Sequence, residues 1–91
     1  MAESKVGTVF HFFDRISVAA IELTGEVTVG DHVRFIRHGE LLFDQKVASM
    51  QIEHDNVAAA EAGQSIGMKT DDRVHVGTEV YKIIPPDPTG L

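Results

Sequence analysis

His32-Val33-Arg34-Phe35-Ile36-Arg37, followed at once by His38-Gly39-Glu40 and Leu41-Leu42-Phe43, is the stretch that decides the fold class. Val33 and Phe35 fall on one face of an extended segment by simple alternation, with Arg34 on the other. A glycine-centred triplet then reverses the chain, so the unit reads as a hairpin whose second arm is a long strand from Leu41 to His54. In that arm Ala48, Met50 and Ile52 share a face.

The same grammar continues on both sides. Lys5 to Phe13 reads as a strand with Val6, Thr8, Phe10 and Phe12 on one face and Val9, His11 and Phe13 on the other. Phe10 and Phe12 share the Val6 face, so they are expected in the core rather than on an aromatic platform for bases. Asp14-Arg15 turns into a second strand, Ile16 to Leu23. Thr24-Gly25-Glu26 and Gly30-Asp31 turn the chain twice more; Gly25 and Gly30 can supply positive φ, and Val27 and Val29 point the same way between them. Downstream, Asp55 to Ala62 is too short for an independent helix despite three consecutive alanines and is read as a loop over one end. Ser65 to Thr70 and Glu79 to Ile84 are further strands, separated by the Asp71-Asp72-Arg73 turn and by Val74 to Val76. Short strands at this spacing predict an all-β domain, and closure into an antiparallel barrel would remove its exposed edges. Residues 1–84 are expected to be one domain. The tail 85–91 holds all three prolines, which cannot donate to a ladder, and is expected to fray.

Ninety-one residues allow one hydrophobic core. Fourteen Asp and Glu against eight Lys and Arg give a formal net charge of -6. The basic residues are scattered, a poor basis for autonomous nucleic-acid binding. There is no cysteine, hence neither a disulfide framework nor a thiolate metal site, which suits a reducing compartment. Met1-Ala2-Glu3-Ser4-Lys5 does not read as a secretory signal, and no apolar run approaches membrane-spanning length. A soluble, cytoplasmic protein with no membrane partner is the expectation.

Motifs that would carry chemistry are weak. Gly63-Gln64-Ser65-Ile66-Gly67-Met68-Lys69-Thr70 imitates a phosphate-binding loop, but Met68 separates the second glycine from the lysine and a strand follows instead of a helix. The five histidines lack the short spacings that hold zinc on one element. Asp71 and Asp72 lack the alternating oxygen ligands of a calcium loop and read as turn residues. No serine sits in a nucleophile elbow. No cofactor, no metal and no enzymatic activity are expected.

Two segments carry a resemblance. One is Ile21-Glu22-Leu23-Thr24-Gly25-Glu26-Val27-Thr28-Val29-Gly30-Asp31. The other is Val47-Ala48-Ser49-Met50-Gln51-Ile52-Glu53-His54 with Ala60-Glu61-Ala62-Gly63-Gln64-Ser65-Ile66-Gly67, and Val76-Gly77-Thr78-Glu79-Val80 adds to them. In this order they resemble the second domain of translation elongation factors, standing without its GTPase domain. The resemblance implies a small closed antiparallel β-barrel of the elongation factor Tu domain 2 type. It also implies a non-catalytic binding module associated with translation, with a protein or ribosomal partner and no GTP. Members that hold a charged tRNA end have Thr-Gly-Arg where this chain has Ala19-Ala20-Ile21, so tight independent tRNA binding is not expected. The residues aligned with that pocket, Ala20, Gln51, Glu53, His54, Asp55, Gly63, Gln64 and Ser65, form the candidate partner-binding surface. The alternative function is an accessory or assembly domain acting in trans with a separate enzyme outside translation.

Overall fold

The architecture comes from a computed structural model that describes residues 2–84; the Pro-rich tail lies outside the described residues. The strands are β1 (Ala2–Phe13), β2 (Val18–Leu23), β3 (Val27–Thr28), β4 (His32–Arg37), β5 (Glu40–Lys46), β6 (Met50–Ile52), β7 (Asp55–Val57), β8 (Ala59–Ala60), β9 (Ser65–Lys69) and β10 (Glu79–Ile84). Eight of them form one antiparallel sheet in the order β5-β4-β10-β1-β2-β9-β6-β7, and β3 pairs with β8. The all-β reading holds. No helix among the described residues is long and apolar enough to cross a membrane.

The expected closed barrel is not found, because the ladder order ends at β5 on one side and β7 on the other. At the β5 edge a side chain takes the place of a ladder. Gln45 is buried, donates from Nε2 to the Lys69 carbonyl at 2.9 Å and accepts at Oε1 from the Asp71 amide at 2.6 Å. A side-chain amide carries one donor group and one acceptor, so it satisfies both backbone groups without a strand pairing.

Alternation places Val33 and Phe35 inward as expected; both are fully buried, and Phe35 stacks on Phe43 at 4.8 Å. The core around them includes Val6, Val9, Ile21, Leu23, Met50 and Met68. The long arm Leu41 to His54 is instead two strands. Val47 leaves the ladder to exchange hydrogen bonds with Gly30 and Asp31 (Gly30 N to Val47 O 2.9 Å; Val47 N to Asp31 O 2.8 Å). Met50 is buried and Ile52 half-buried, whereas Ala48 in the break is exposed. The segment Asp55 to Ala62 is not a loop over an end: it contributes β7 and β8. The second strand starts at Val18, leaving Ile16 exposed in the preceding turn.

β1 departs most from simple alternation. Its pairing shifts register between Lys5 and Gly7 against β10, and between Val9 and His11 against β2. Each bulge inserts a residue and reverses which face follows. Val6 and Val9, three apart, are therefore both buried, and Phe12, three further on, packs against the core. Phe10 is the extra residue of the second bulge and is 49% exposed, so its expected place in the core is corrected. Gly25 has no positive φ. It lies where an added Cβ would come within 3.2 Å of Val6 Cγ1, so close approach explains it.

Candidate functional site

Outward from β2, β9 and β6, one row of residues crosses the sheet. His11 pairs with Ala20, Ala20 with Gly67, and Gly67 with Gln51. Small residues in the middle of that row leave a groove of about 310 Å³. One wall is Phe10, Phe13 and Ile16, which are 49%, 47% and 56% exposed. The other holds Gln51, Glu53, His54 and Ser65, and Val18, Ile66 and Gly67 lie between. His11 meets Phe13 edge to face at 4.4 Å. Water in contact with three large apolar side chains on one patch is displaced favourably by any apolar occupant.

The rim is built by an unusual turn. Ile52 pairs with Asp55, so Glu53 and His54 alone join β6 to β7, at φ of 49° and 72°. Positive φ at both central residues is the type I′ requirement, which Asn-Gly meets most easily. Gln51 Nε2 donates to Asn56 Oδ1 at 3.2 Å and straps the hairpin across its base. Glu53, and Glu22 across from Ser65 in the β2–β9 ladder, have no ion-pair partner among the described residues. Lys69 sends its ammonium to the Ile16 carbonyl at 2.7 Å. Arg15 borders an adjoining concavity that shares Phe13 and Ile16 with the groove.

Of the candidate surface residues, Gln51, Glu53, His54 and Ser65 line the groove, and Ala20 lies in the row beneath it with little exposure. Asp55 begins β7 outside the groove. Gly63 and Gln64 belong to the β8–β9 turn, where both exchange backbone hydrogen bonds with Leu23 at the far end of β2. Phe10, Phe13 and Ile16 were not among the candidates. Their signal is the run Phe10-His11-Phe12-Phe13 with Ile16 close behind: strict alternation cannot bury all of them.

A larger concavity of about 410 Å³ is lined by Phe12, Asp14, Ser17, Asp71, Asp72 and Arg73. Its Arg73 already reaches Asp14 at 3.2 Å, and both side chains are mostly exposed. Charge paired internally in open water recruits little, so the apolar groove is the better candidate.

Chemically, the groove gathers a hydroxyl (Ser65), an imidazole (His54) and a carboxylate (Glu53). Nucleophilic catalysis needs hydroxyl and base within hydrogen-bond reach, and no hydrogen bond joins these three among the described residues. No cluster of three metal-ligating side chains is present among those residues either.

The motifs behind the elongation-factor resemblance have one local cause. In Thr28-Val29-Gly30-Asp31, Glu61-Ala62-Gly63-Gln64 and His75-Val76-Gly77-Thr78 the third residue is glycine at φ of 97°, 91° and 91°. In each, the fourth residue's amide donates to the first carbonyl and its side chain accepts from the first amide. This is the chemistry of a turn with positive φ at its third position, available to any β fold.

No family model matches the chain. The structure overlays the C-terminal domain of the "Geobacillus thermoleovorans putative U32 peptidase" with a TM-score of 0.81 at 19% identity, covering 89% of this chain and 93% of that one. The selenomethionine variant of the same domain gives 0.78 at 19% identity, covering 85% and 96%. In sequence the chain is 35% identical over 77 residues to an uncharacterized protease of Methanocaldococcus jannaschii. That match takes in 85% of this chain but spans only 19% of the relative's length. These likenesses overturn both the elongation-factor resemblance and the translation module it implied. The chain has the fold of that C-terminal domain and is similar in sequence to part of that archaeal relative.

Proposed function

We propose that the chain is a non-catalytic accessory domain that serves a separate peptidase, presenting its groove to a polypeptide. The observation that carries this reading is the pair of coverages. The fold matches a C-terminal peptidase domain almost end to end, while the sequence match spans a small part of a protease. A segment that corresponds to one domain of a larger enzyme, and whose polar groove residues are not wired for catalysis, fits a binding role. The sheet is taken as barrel-like, with Gln45 of the β5 edge tied to the end of β9 and the loop that follows it.

The test uses the Methanocaldococcus jannaschii relative with its matched 77-residue segment deleted. Adding the chain in trans is expected to lower KM for a peptide substrate, with kcat little changed, as added uniform binding does. The isolated chain is expected to hydrolyse nothing. Peptide hydrolysis by the chain alone, abolished by Ser65→Ala, would replace this reading with a catalytic one.

A further inference from the structure

The two walls of the groove differ in kind. Phe10, Phe13 and Ile16 offer apolar surface, while the opposite rim carries Glu53, with Glu22 outside the lining and paired across from Ser65 in the β2–β9 ladder. Both carboxylates are exposed and unpaired among the described residues, and the Lys69 ammonium is held on a backbone carbonyl. We propose that this groove docks an extended peptide segment carrying a large aliphatic side chain next to a lysine or arginine. The aliphatic group would lie between Phe13, Ile16 and Val18, and the cation would reach Glu53 and Glu22.

Charge complementarity selects this occupant. A nucleic-acid strand would stack on Phe10 and Phe13, yet its phosphates would face the two carboxylates and a chain of net charge -6. A second copy would bring the same acidic rim against its own. A basic, apolar peptide gains on both walls. At about 310 Å³ the groove is near the lower end of ligand clefts, room for a few side chains rather than a folded element.

The strained turn supports the same assignment. Non-glycine residues at positive φ cluster at ligand clamps and active sites, and here they are the groove's only charged lining residue and its imidazole.

The inference names a ligand class for the accessory role and rests on that reading only for the peptide's source. Fluorescence polarisation with the full chain compares a labelled Ala-Ala-Leu-Lys-Ala-Ala peptide with versions carrying Leu-Glu or Ala-Lys at the centre. Both changed peptides should bind about tenfold more weakly. Phe13→Ser and Ile16→Ser, at exposed positions that should not disturb folding, should each weaken the Leu-Lys peptide by a similar factor, and Glu53→Gln should narrow the Lys-to-Glu preference to about threefold. Four results would overturn the proposal: no binding at millimolar peptide, equal binding of the Leu-Glu peptide, displacement by a short single-stranded RNA at lower concentration than by unlabelled peptide, or a dimer that Phe13→Ser dissociates. Failure here with KM restored in trans removes the groove assignment alone; peptide binding without any effect in trans removes the accessory role alone.

Discussion

Two hairpins in this molecule share a turn type and differ in almost everything else. In the β4–β5 hairpin, Arg37 pairs with Glu40 and His38-Gly39 turns the chain at φ of 53° and 76°. In the β6–β7 hairpin, Ile52 pairs with Asp55 and Glu53-His54 turns it at 49° and 72°. The first has long arms anchored by buried Phe35, and glycine relieves its second turn position. The second has three-residue arms, and a histidine in the position where glycine would be unstrained. A non-glycine residue in the left-handed region costs about 1–2 kcal/mol. The shorter hairpin, with less packing to absorb that cost, carries more of it, and it is the one that borders the groove.

The contrast can be broken most forcefully at the anchor. Phe35→Ala should cost about 3–5 kcal/mol because its cavity forms inside a closed core, while Phe13→Ala at the groove should stay within about 1 kcal/mol. Urea unfolding of both variants checks this; equal losses would mean that the groove wall is also structural. Next in size, Gly39→Val puts a β-branched side chain at positive φ and should cost about 2 kcal/mol. A neutral result would show that this tip rearranges freely.

A smaller effect has the opposite sign. His54→Gly removes strain of about 1–2 kcal/mol but adds unfolded-state freedom of about 0.5–1 kcal/mol. The variant should be more stable by about 0.5 kcal/mol, raising Tm by about 2–4 °C. A lower Tm in thermal scanning would show that His54 stabilises the turn and would remove the strain argument. The smallest effect concerns pH, on the β10 side of the first hairpin, where Glu79 pairs with Ile36. A hydrogen bond from Lys5, another from the Tyr81 hydroxyl and the Lys5 charge hold the Glu79 carboxyl below its usual range. Burial and the Glu79 carboxylate push Tyr81 up. With its folded-state value lowered, Glu79 contributes fully above the ordinary carboxylate range and loses that contribution as pH falls through the lower folded value. Glu79→Gln should flatten the acid limb of the urea midpoint slightly, and the effect should fade at high salt because the pair is solvent-exposed. An unchanged acid limb would assign acid sensitivity to other carboxylates.

The first hairpin was legible in sequence because His32 to Phe35 alternates and Gly39 marks the reversal, although the β4–β5 pairing shifts register between Phe35 and Ile36. The groove was half legible. Gln51, Glu53, His54 and Ser65 follow from the turn motifs, whereas Phe10 and Phe13 face outward through the second of two bulges in β1 and Ile16 stands in the turn before β2. Those bulges arise from ladder registers that join β1 to β2 and β10, contacts that no local window contains. The β8 strand has a similar origin: Ala59 and Ala60 are extended because β3 pairs with them across more than thirty residues, and tertiary pairing overrides the weak strand tendency of alanine; β7 instead pairs locally with β6, through a Glu53-His54 turn that lacks the usual glycine. The family resemblance failed where three glycine turns, each satisfied by its own neighbours, stood in for common descent.

The bulges of β1 also separate two kinds of selection. Val6, Val9 and Phe12 serve the interior, and Phe10 and Phe13 serve the groove, with no residue of the five asked to do both. Changes in what is bound can therefore accumulate at positions 10 and 13 while the interior stays fixed. A strand in strict alternation offers that freedom too, but only to every second residue; here each bulge shifts the phase, and the variable positions gather at one end, beside the hairpin that completes the groove. The lineage of this domain should accordingly show divergence in ligand preference without matching divergence in heat resistance.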